Sequence, residues 1–380
     1  MSASQIVVIG GGVVGASAAY QLTRDGLPVV LVDANDEGQA TAAGAGVIAP
    51  GASLRPLPAF YPFAAKAVRA YPELLASLVD DGEAHTGYEV VGKLFVATDD
   101  AEHGRLEETL ALFNRRREDG MPNLGAMEIL TSEAAQQRFP PLARIAAAIS
   151  IPEAARVDGA LLRDALIAAA RKRGARIRQC RARPIVEAGR VAGVSIDDER
   201  VACDRVVLAG GAWSADLASD LGFTLPVAPQ RGQIAHLTIE GVDTSRWPIL
   251  GGFGDQYVLA FGPNRIVAGA TRETGSGFEV RLTAGGVHSV MSEVLRVAPG
   301  LATATLREMR IGLRPLAADG LPFLGLAPGI EGAIVATGHG PSGLQLGPYS
   351  GALAAVLARD QPVPVDLTPF AVERVTAFAR

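Results

Sequence analysis

The stretch that most constrains this chain is residues 6–33, IVVIGGGVVGASAAYQLTRDGLPVVLVD. A short apolar run, Ile6–Ile9, meets Gly10-x-Gly12-x-x-Gly15, a helix-forming segment follows, and a second apolar run ends in Asp33. That is a dinucleotide fingerprint in its strand–turn–helix–strand setting. Gly10 permits the tight turn, Gly12 lets the backbone approach a pyrophosphate, and Gly15 lets the helix pack close to the strand. The helix N-terminus offers N–H groups and positive dipole to phosphates. Asp33, 21 residues after Gly12, can accept hydrogen bonds from a ribose diol and disfavours a 2′-phosphate. The expected ligand carries an unphosphorylated adenosine ribose.

At 380 residues the chain is long enough for two domains. Its composition, 48% apolar and 20% charged, describes a globular protein with ample core. A net charge of −5 gives no electrostatic case for nucleic acid or an anionic membrane. Of 35 basic residues only Lys66, Lys93 and Lys172 are lysine, so arginine is the default cation and any single arginine is weak evidence of function. Cys180 and Cys203 read as ordinary thiols of a reducing compartment, not as a disulfide framework or metal site. The start, MSASQIVVIG, lacks the positive region and cleavage site of a signal peptide. Residues 6–22 read as strand plus helix rather than a membrane span. The expected location is cytoplasmic, with peripheral association at the inner face of a membrane as the alternative.

Further along, Gln39–Gly51 is a second glycine- and alanine-rich segment. A helix is expected over 60–79, a strand over Val91–Ala97, and a helix over 105–117 whose Arg115–Arg117 end is solvated. Gly87-x4-Gly92-Lys93 imitates a phosphate loop, but Leu94 replaces the required Ser or Thr, so it carries no weight. Leu161–Arg173 predicts a helix closed by Gly174. Strands follow at Ala175–Gln179 and Val201–Leu208, the latter ending in the turn Gly210-Gly211-Ala212-Trp213-Ser214. Residues 227–311 change character, with short strands and a helix near 284–297. The pattern closes with strand Ala333–Thr337, loop Gly338–Gly343 and helix Gly347–Arg359. The fold class is therefore α/β: a discontinuous doubly wound, Rossmann-like nucleotide domain (1–85, 156–226 and 312–380) with an inserted α+β substrate domain (86–155 and 227–311).

Three features could carry chemistry. The Gly338-His339-Gly340-Pro341-Ser342-Gly343 turn would converge with Gly10–Gly15 on one sheet edge, with His339 as a backbone-positioning residue. Arg314, extended by Pro315, carries a guanidinium fork suited to a carboxylate; on the residues alone, with arginine so common here, a surface ion pair is the better reading. Residues 247–261 hold four aromatics in a chain only 5% aromatic. Tyr257, Leu259 and Phe261 share a strand face, which suits either an apolar pocket or the inserted domain's core. HExxH, paired CxxC and GxSxG motifs are absent from the sequence, so metal hydrolysis and a serine nucleophile have no support, and no metal is expected.

Together IGGGVVGASAAYQL, ATAAGAGVIAPG, VLAGGAWS, PQRGQ, IVAGATRETG, IGLRPLAADGLPFLG and ATGHGPSGLQLGP, in that order, resemble the glycine oxidase and D-amino-acid oxidase/dehydrogenase family of FAD flavoproteins. The likeness spans nearly the whole chain. It implies that Gly10, Gly12, Val13, Val14, Gly15, Asp33 and Ala34 hold the ADP moiety of FAD. Thr41, Ala42, Ala43, Gly44 and Gly46 would run along the pyrophosphate and flavin. Gly210, Gly211, Trp213 and the run Gly338, His339, Gly340, Pro341, Ser342, Gly343 and Leu344 complete the cofactor set, with Arg314 at its edge. Arg314 matches the family's substrate-carboxylate arginine, with Tyr257 sharing that carboxylate. The implied reaction is oxidative deamination of a D-α-amino acid: a hydride leaves Cα for the flavin, and the imino acid hydrolyses to a keto acid and ammonia. Small neutral or cyclic side chains are expected from the Tyr257–Phe261 face.

The chain departs from the family in three ways. Ile311 stands where many members have tryptophan or a small residue. Neither cysteine matches a flavin-linking motif, so FAD is expected to be noncovalent. None of the three lysines lies in the later substrate-domain segment, where some amine oxidases use one over the flavin. Other readings are a glycine- or sarcosine-type secondary amine oxidase, a flavin-dependent 2-hydroxy-acid dehydrogenase, a flavoprotein subunit of an electron-transfer complex, or an NAD-dependent dehydrogenase. The last is disfavoured by the second glycine segment and the closing loop. The electron acceptor (oxygen, quinone or partner protein) and the oligomeric state are not legible.

Overall fold

Two sheets organise the chain in the computed structural model, which describes residues 5–377. Met1–Ser4, part of the stretch read for a signal peptide, and residues 378–380 lie outside that range. Six strands form the first sheet in the order Phe323–Leu326, Ala333–Thr337, Arg205–Leu208, Ile6–Ile9, Val29–Asp33 and Arg176–Gln179. All neighbours are parallel except the first pair. The alternation of a strand divides its side chains between two cores. Ile6, Val8, Val29 and Leu31 face helices Val13–Arg24, Gly159–Lys172 and Gly343–Ala358. Val7, Ile9, Val30 and Val32 face a three-stranded antiparallel sheet (Ala182–Glu187, Arg190–Ile196, Glu199–Val201) and helix Ser214–Asp220. Burial on both faces explains why these strands read as continuous apolar runs.

The second sheet has nine strands drawn from both halves of the chain. Lys93–Ala97, Ala147–Ile151 and Glu128–Leu130 supply one side. Ile249–Gly252, Tyr257–Phe261, Arg265–Gly269, the short Glu273–Thr274 and the long antiparallel ribbon of Val227–Thr238 with Thr305–Ala317 supply the other. Helix Ala284–Val297 covers its back through Val290 and Val294. Because strand Thr305–Ala317 runs unbroken through 312, we propose that the two domains divide along the sheets, with the crossover after Ala317.

Several elements differ from their sequence reading for identifiable reasons. The run Val201–Leu208 is two strands of different sheets, Glu199–Val201 and Arg205–Leu208, whose shared apolar character merged them. Residues 60–79 form two helices, Phe60–Arg69 and Tyr71–Asp80, since Pro72 has no N–H for the carbonyl four residues earlier. The closing helix starts at Gly343, not Gly347, and carries Pro348 in its interior. Pro348 leaves the Leu344 carbonyl without its helical donor, and the Tyr71 hydroxyl donates to that carbonyl instead. Arg116 is no solvated helix end. It donates to the carbonyls of Gly51 and Ser53 at 2.8 and 2.5 Å and lies over the Tyr61 ring.

The fingerprint glycines are sterically required. A Cβ on Gly15 would fall 1.9 Å from the Gly10 carbonyl oxygen, and one on Gly10 2.3 Å from that of Ala209. Gly15→Ala must push helix Val13–Arg24 off the sheet. Its expected cost is about 1–3 kcal/mol, read as a lower urea midpoint together with weaker FAD retention; an unchanged midpoint would refute this packing.

Candidate active site

Four strand-to-helix or strand-to-loop turns leave the carboxyl edge of the six-stranded sheet: after Ile9, Asp33, Leu208 and Thr337. That edge is where open α/β sheets bind ligands. The turns line one end of a cavity of about 700 Å³ that continues onto the face of the nine-stranded sheet. Gly10, Gly12, Val13, Val14, Asp33, Ala34, Thr41, Ala43, Gly44, Gly46, Gly210, Gly211, Trp213 and Gly340–Leu344 all line it, as do His339, Tyr257 and Arg314. Three expected residues do not. Gly15 lies within helix Val13–Arg24, buried against Gly10 and Ala209, and Gly338 turns the chain beside Ala317 and Phe323. Ala42 faces away, its carbonyl accepting from Arg310 at 3.4 Å. The helix N-terminus is not wholly free, since Thr41 Oγ1 accepts from the Val13 N–H at 3.1 Å. Asp33 holds the next turn, its Oδ1 accepting from the Asn35 N–H at 3.0 Å.

A backbone-only surface built by Gly10 and Gly12, and a carboxylate at the second strand's end, fit a dinucleotide. Cys180 lies at this same end, its N–H donating to the Asp33 carbonyl at 2.9 Å. His339 is 3% exposed, and its Nε2 lies 2.9 Å from Ser350 Oγ. Burial pushes its imidazole down to about 4, so it is neutral at physiological pH and positions its turn.

The other end is built by strand alternation. Ladder register places Arg314, Gly312, Gly232, Ile234, Gly269, Tyr257, Gly251, Phe95 and Lys93 on one face of the nine-stranded sheet. Its glycines make room for long polar side chains. A Cβ on Gly232 would meet the Arg314 guanidinium at 2.5–2.7 Å; one on Gly269 would lie 3.3 Å from the Tyr257 hydroxyl; one on Gly251 would lie 3.3 Å from Lys93 Cε. Arg314 Nη1 donates to the Thr271 carbonyl at 2.9 Å. Thr271 is fixed in turn: its hydroxyl donates to Glu273 at 2.6 Å and accepts from the Gln233 N–H at 2.9 Å, while Arg231 grips Glu273. Arg314 and Tyr257 lie close enough to influence each other's charge. Burial raises the Tyr257 phenol, with Arg314 opposing, so the phenol remains protonated. Asp255, which acts on Arg314 electrostatically, pairs with Arg272 at 2.9 Å.

Leu259 and Phe261 do not line the cavity. Leu259 packs with Ile234, Ile249 and Val267, and Phe261 lies under the guanidinium groups of Arg156 and Arg265. The apolar side-chain pocket expected there is absent, and Tyr257 alone of the three reaches the site. The sequence reading missed Lys93, Arg55, Arg272, Phe95 and Phe253, all of which line this end. The failed phosphate loop hides Lys93, and the abundance of arginine hides Arg55 and Arg272. Strand alternation from Tyr257 through Gly251 to Phe95 could have found Lys93, had the pairing been known.

This architecture, a dinucleotide cleft opening onto a sheet-borne arginine and tyrosine, defines a flavin-dependent oxidoreductase. The chain belongs to the FAD-dependent oxidoreductase family designated DAO, whose model matches residues 5–357. It is 39% identical to the uncharacterised oxidoreductase YurR of Bacillus subtilis strain 168, over 96% of this chain and 97% of that protein. It is 32% identical to the glycine oxidase of Pseudomonas putida KT2440, over 97% and 98% of the two chains. Among solved structures it matches iminodiacetate oxidase (IdaA) from Chelativorans sp. BNC1 with a TM-score of 0.93 and 40% identity, covering 97% and 98%. The protein is thus an FAD-dependent oxidoreductase. Among the described residues no helix is long and apolar enough to cross a membrane.

The buried histidines make stability pH-dependent. His236 and His339 both fall from the ordinary 6.5 to about 4 through burial. The unfolded chain protonates these rings first, so stability is complete above about 6.5 and is lost as pH drops toward 4. Each ring can contribute up to roughly 3 kcal/mol of that loss at 1.36 kcal/mol per pH unit. Urea midpoints measured from pH 7 to 4.5 should fall, and His339→Gln should flatten the slope.

Proposed function

We propose that the protein catalyses FAD-dependent oxidative deamination of a small α-amino acid, of glycine type or D-configured, with a primary or secondary amine. The observation that carries this reading is Arg314: half-buried at the cavity's end, braced on the Thr271 carbonyl, on the same sheet face as the Tyr257 phenol, and bridged to no carboxylate among the described residues. A guanidinium fork so placed suits a ligand carboxylate. The glycine oxidase and iminodiacetate oxidase similarities support an amine flanked by a carboxylate. The absence of an apolar side-chain pocket at Leu259 and Phe261 removes the basis for preferring neutral or cyclic side chains.

In this reading Gly10, Gly12, Val13, Val14, Asp33 and Ala34 hold the ADP half of FAD. Thr41, Gly44, Gly46 and Gly340–Leu344 hold the remainder. When bound, FAD supplies the two-electron acceptor. Arg314 anchors the substrate carboxylate in two places, and Tyr257 donates its phenolic proton to the same group. Together they fix the direction of the Cα–H bond, and orientation is the chief contribution of the protein. His339, buried and neutral, takes no proton from the substrate. Water hydrolyses the imino product to an oxo acid and an amine.

The Cys180 thiol lies beside the Asp33 turn, at the opposite end of the cavity from Arg314, so FAD should be noncovalent. Acid precipitation should release all yellow colour into solution; a yellow pellet would refute it.

Arg314→Ala should reduce kcat/KM by about 10- to 150-fold, equivalent to roughly 1.5–3 kcal/mol for a lost charged hydrogen-bond partner. Arg314→Lys should stay impaired, because an ammonium cannot reproduce the fork. FAD occupancy, checked by absorbance, should be unchanged in both. A loss below threefold at full occupancy would remove Arg314 from the site.

A further inference from the structure

The cavity's two ends differ in charge balance. At the nucleotide end each lining arginine has an acid: Arg181 pairs with Asp36, and Arg183 with Asp220 at 2.7 Å. At the other end Arg55, Lys93, Arg272 and Arg314 face the cavity together with one acid, Asp255, which Arg272 takes. Three cations therefore share a small space with no acid of their own among the described lining residues. One carboxylate on Arg314 and Tyr257 accounts for only the first.

Lys93 and Arg55 are each held in place through the segment Gly51–Arg55 and its neighbours. Lys93 Nζ donates to the Ala52 carbonyl at 3.3 Å and sits 5.5 Å from the Phe95 ring centre. Arg55 lies three residues on, and its Nη1 donates to Ser342 Oγ at 2.7 Å. The segment carrying Ala52 and Arg55 is pinned. Arg116 binds the Gly51 and Ser53 carbonyls, and the Tyr61 hydroxyl donates to the Arg55 carbonyl at 2.8 Å. Bare Gly251 lies between Lys93 and Tyr257 on the sheet face, in register with Tyr257. An elongated ligand can thus run from Arg314 and Tyr257 across Gly251 to Lys93. Burial pushes both cations below their ordinary values, Lys93 to about 8; Arg272 and Arg314 push Arg55 down further, and Asp255 opposes them only in part.

Building on the amine-oxidation reading, we propose that the physiological substrate is a small amino dicarboxylate. Arg314 and Tyr257 hold the carboxylate next to the reacting carbon. Lys93 and Arg55 form a second subsite for the distal carboxylate. They are specificity-determining residues and take no part in the chemistry at the C–N bond.

The test compares two amines that differ by one carboxylate, iminodiacetate and sarcosine, on FAD-loaded enzyme. Wild type should favour iminodiacetate by at least about tenfold in kcat/KM, the effect of roughly one charged hydrogen bond. Lys93→Met, which keeps the stem volume, should cut kcat/KM for iminodiacetate by about 10- to 100-fold and leave sarcosine within about threefold. Arg55→Gln should move in the same direction. Non-reacting malonate, titrated against the flavin absorbance spectrum, should bind wild type more tightly than acetate, and Lys93→Met should erase the difference. Sarcosine turned over as well as iminodiacetate by wild type would overturn the second subsite and leave the amine-oxidation reading intact. Equal loss on both amines in Lys93→Met would also overturn it, since that is a general structural role. If no amino acid or amine reduces the wild-type flavin, the amine-oxidation reading fails and the dicarboxylate proposal with it.

Discussion

One antiparallel ribbon ties the molecule together. Val227–Thr238 pairs with Thr305–Ala317 along its whole length, from Val227 opposite Ala317 to Thr238 opposite Thr305. Its first residues, Val227 and Ala317, are buried in the core beneath the six-stranded sheet. Its far end, at Ala235 and Leu237, is buried in the core of the nine-stranded sheet. Arg314 sits opposite Gln230, between these anchorages. Its position relative to the nucleotide turns is thus set by continuous ladder hydrogen bonds and not by a flexible connection. A catalytic geometry that depends on orientation needs such a rigid support.

Much of this was legible in the sequence because local chemistry forced it. The fingerprint reads correctly since only glycine fits against Gly10 O and Ala209 O. Strands Ile6–Ile9, Tyr257–Phe261 and Ala333–Thr337 and helix Ala284–Val297 fall where periodicity places them. What failed to read was set by distant contacts. Pro348 could enter a helix interior because Tyr71, far away in sequence, supplies the missing donor. Arg116 looks like one of three solvated arginines until Gly51 and Ser53 are brought beneath it. Phe261 shares a face with Tyr257, yet the sheet covers it with Arg156 and Arg265. Period-two alternation gives a residue's face but not what covers that face.

Lys93 illustrates the same limit more sharply. Its strand joins the site through parallel pairing with Ile249–Gly252, 156 residues later. Parallel pairing leaves no local turn signal. The sequence therefore offers Lys93 only as part of a defective phosphate loop, and the chemistry of the cavity's cationic end stays hidden. The resemblance of seven ordered motifs carried Arg314, which lies in IGLRPLAADGLPFLG, whereas Tyr257 lies between motifs and came from the aromatic strand QYVLAF. Lys93 and Arg55 lie outside the roles that the resemblance assigns.

The cationic end also has a thermodynamic consequence for the fold. Placing Arg55, Arg272 and Arg314 near one another raises the energy of the ligand-free protein, and burial adds to that cost. The structure offsets it locally and without carboxylates. Carbonyls of Ala52 and Thr271 accept from Lys93 and Arg314, and the Ser342 hydroxyl accepts from Arg55. Neutral acceptors of this kind satisfy donors but leave the positive potential in place. A full set of internal salt bridges would have made the fold more stable and the cavity electrically quiet, as at the nucleotide end with Asp36 and Asp220. Keeping the charge uncompensated transfers that stabilisation to whatever anion enters, because a ligand that binds only the folded state adds its binding energy to stability. The arrangement trades stability of the ligand-free protein for discrimination in favour of anionic ligands, and the pinned segment from Gly51 to Arg55 keeps the repelling cations from moving apart.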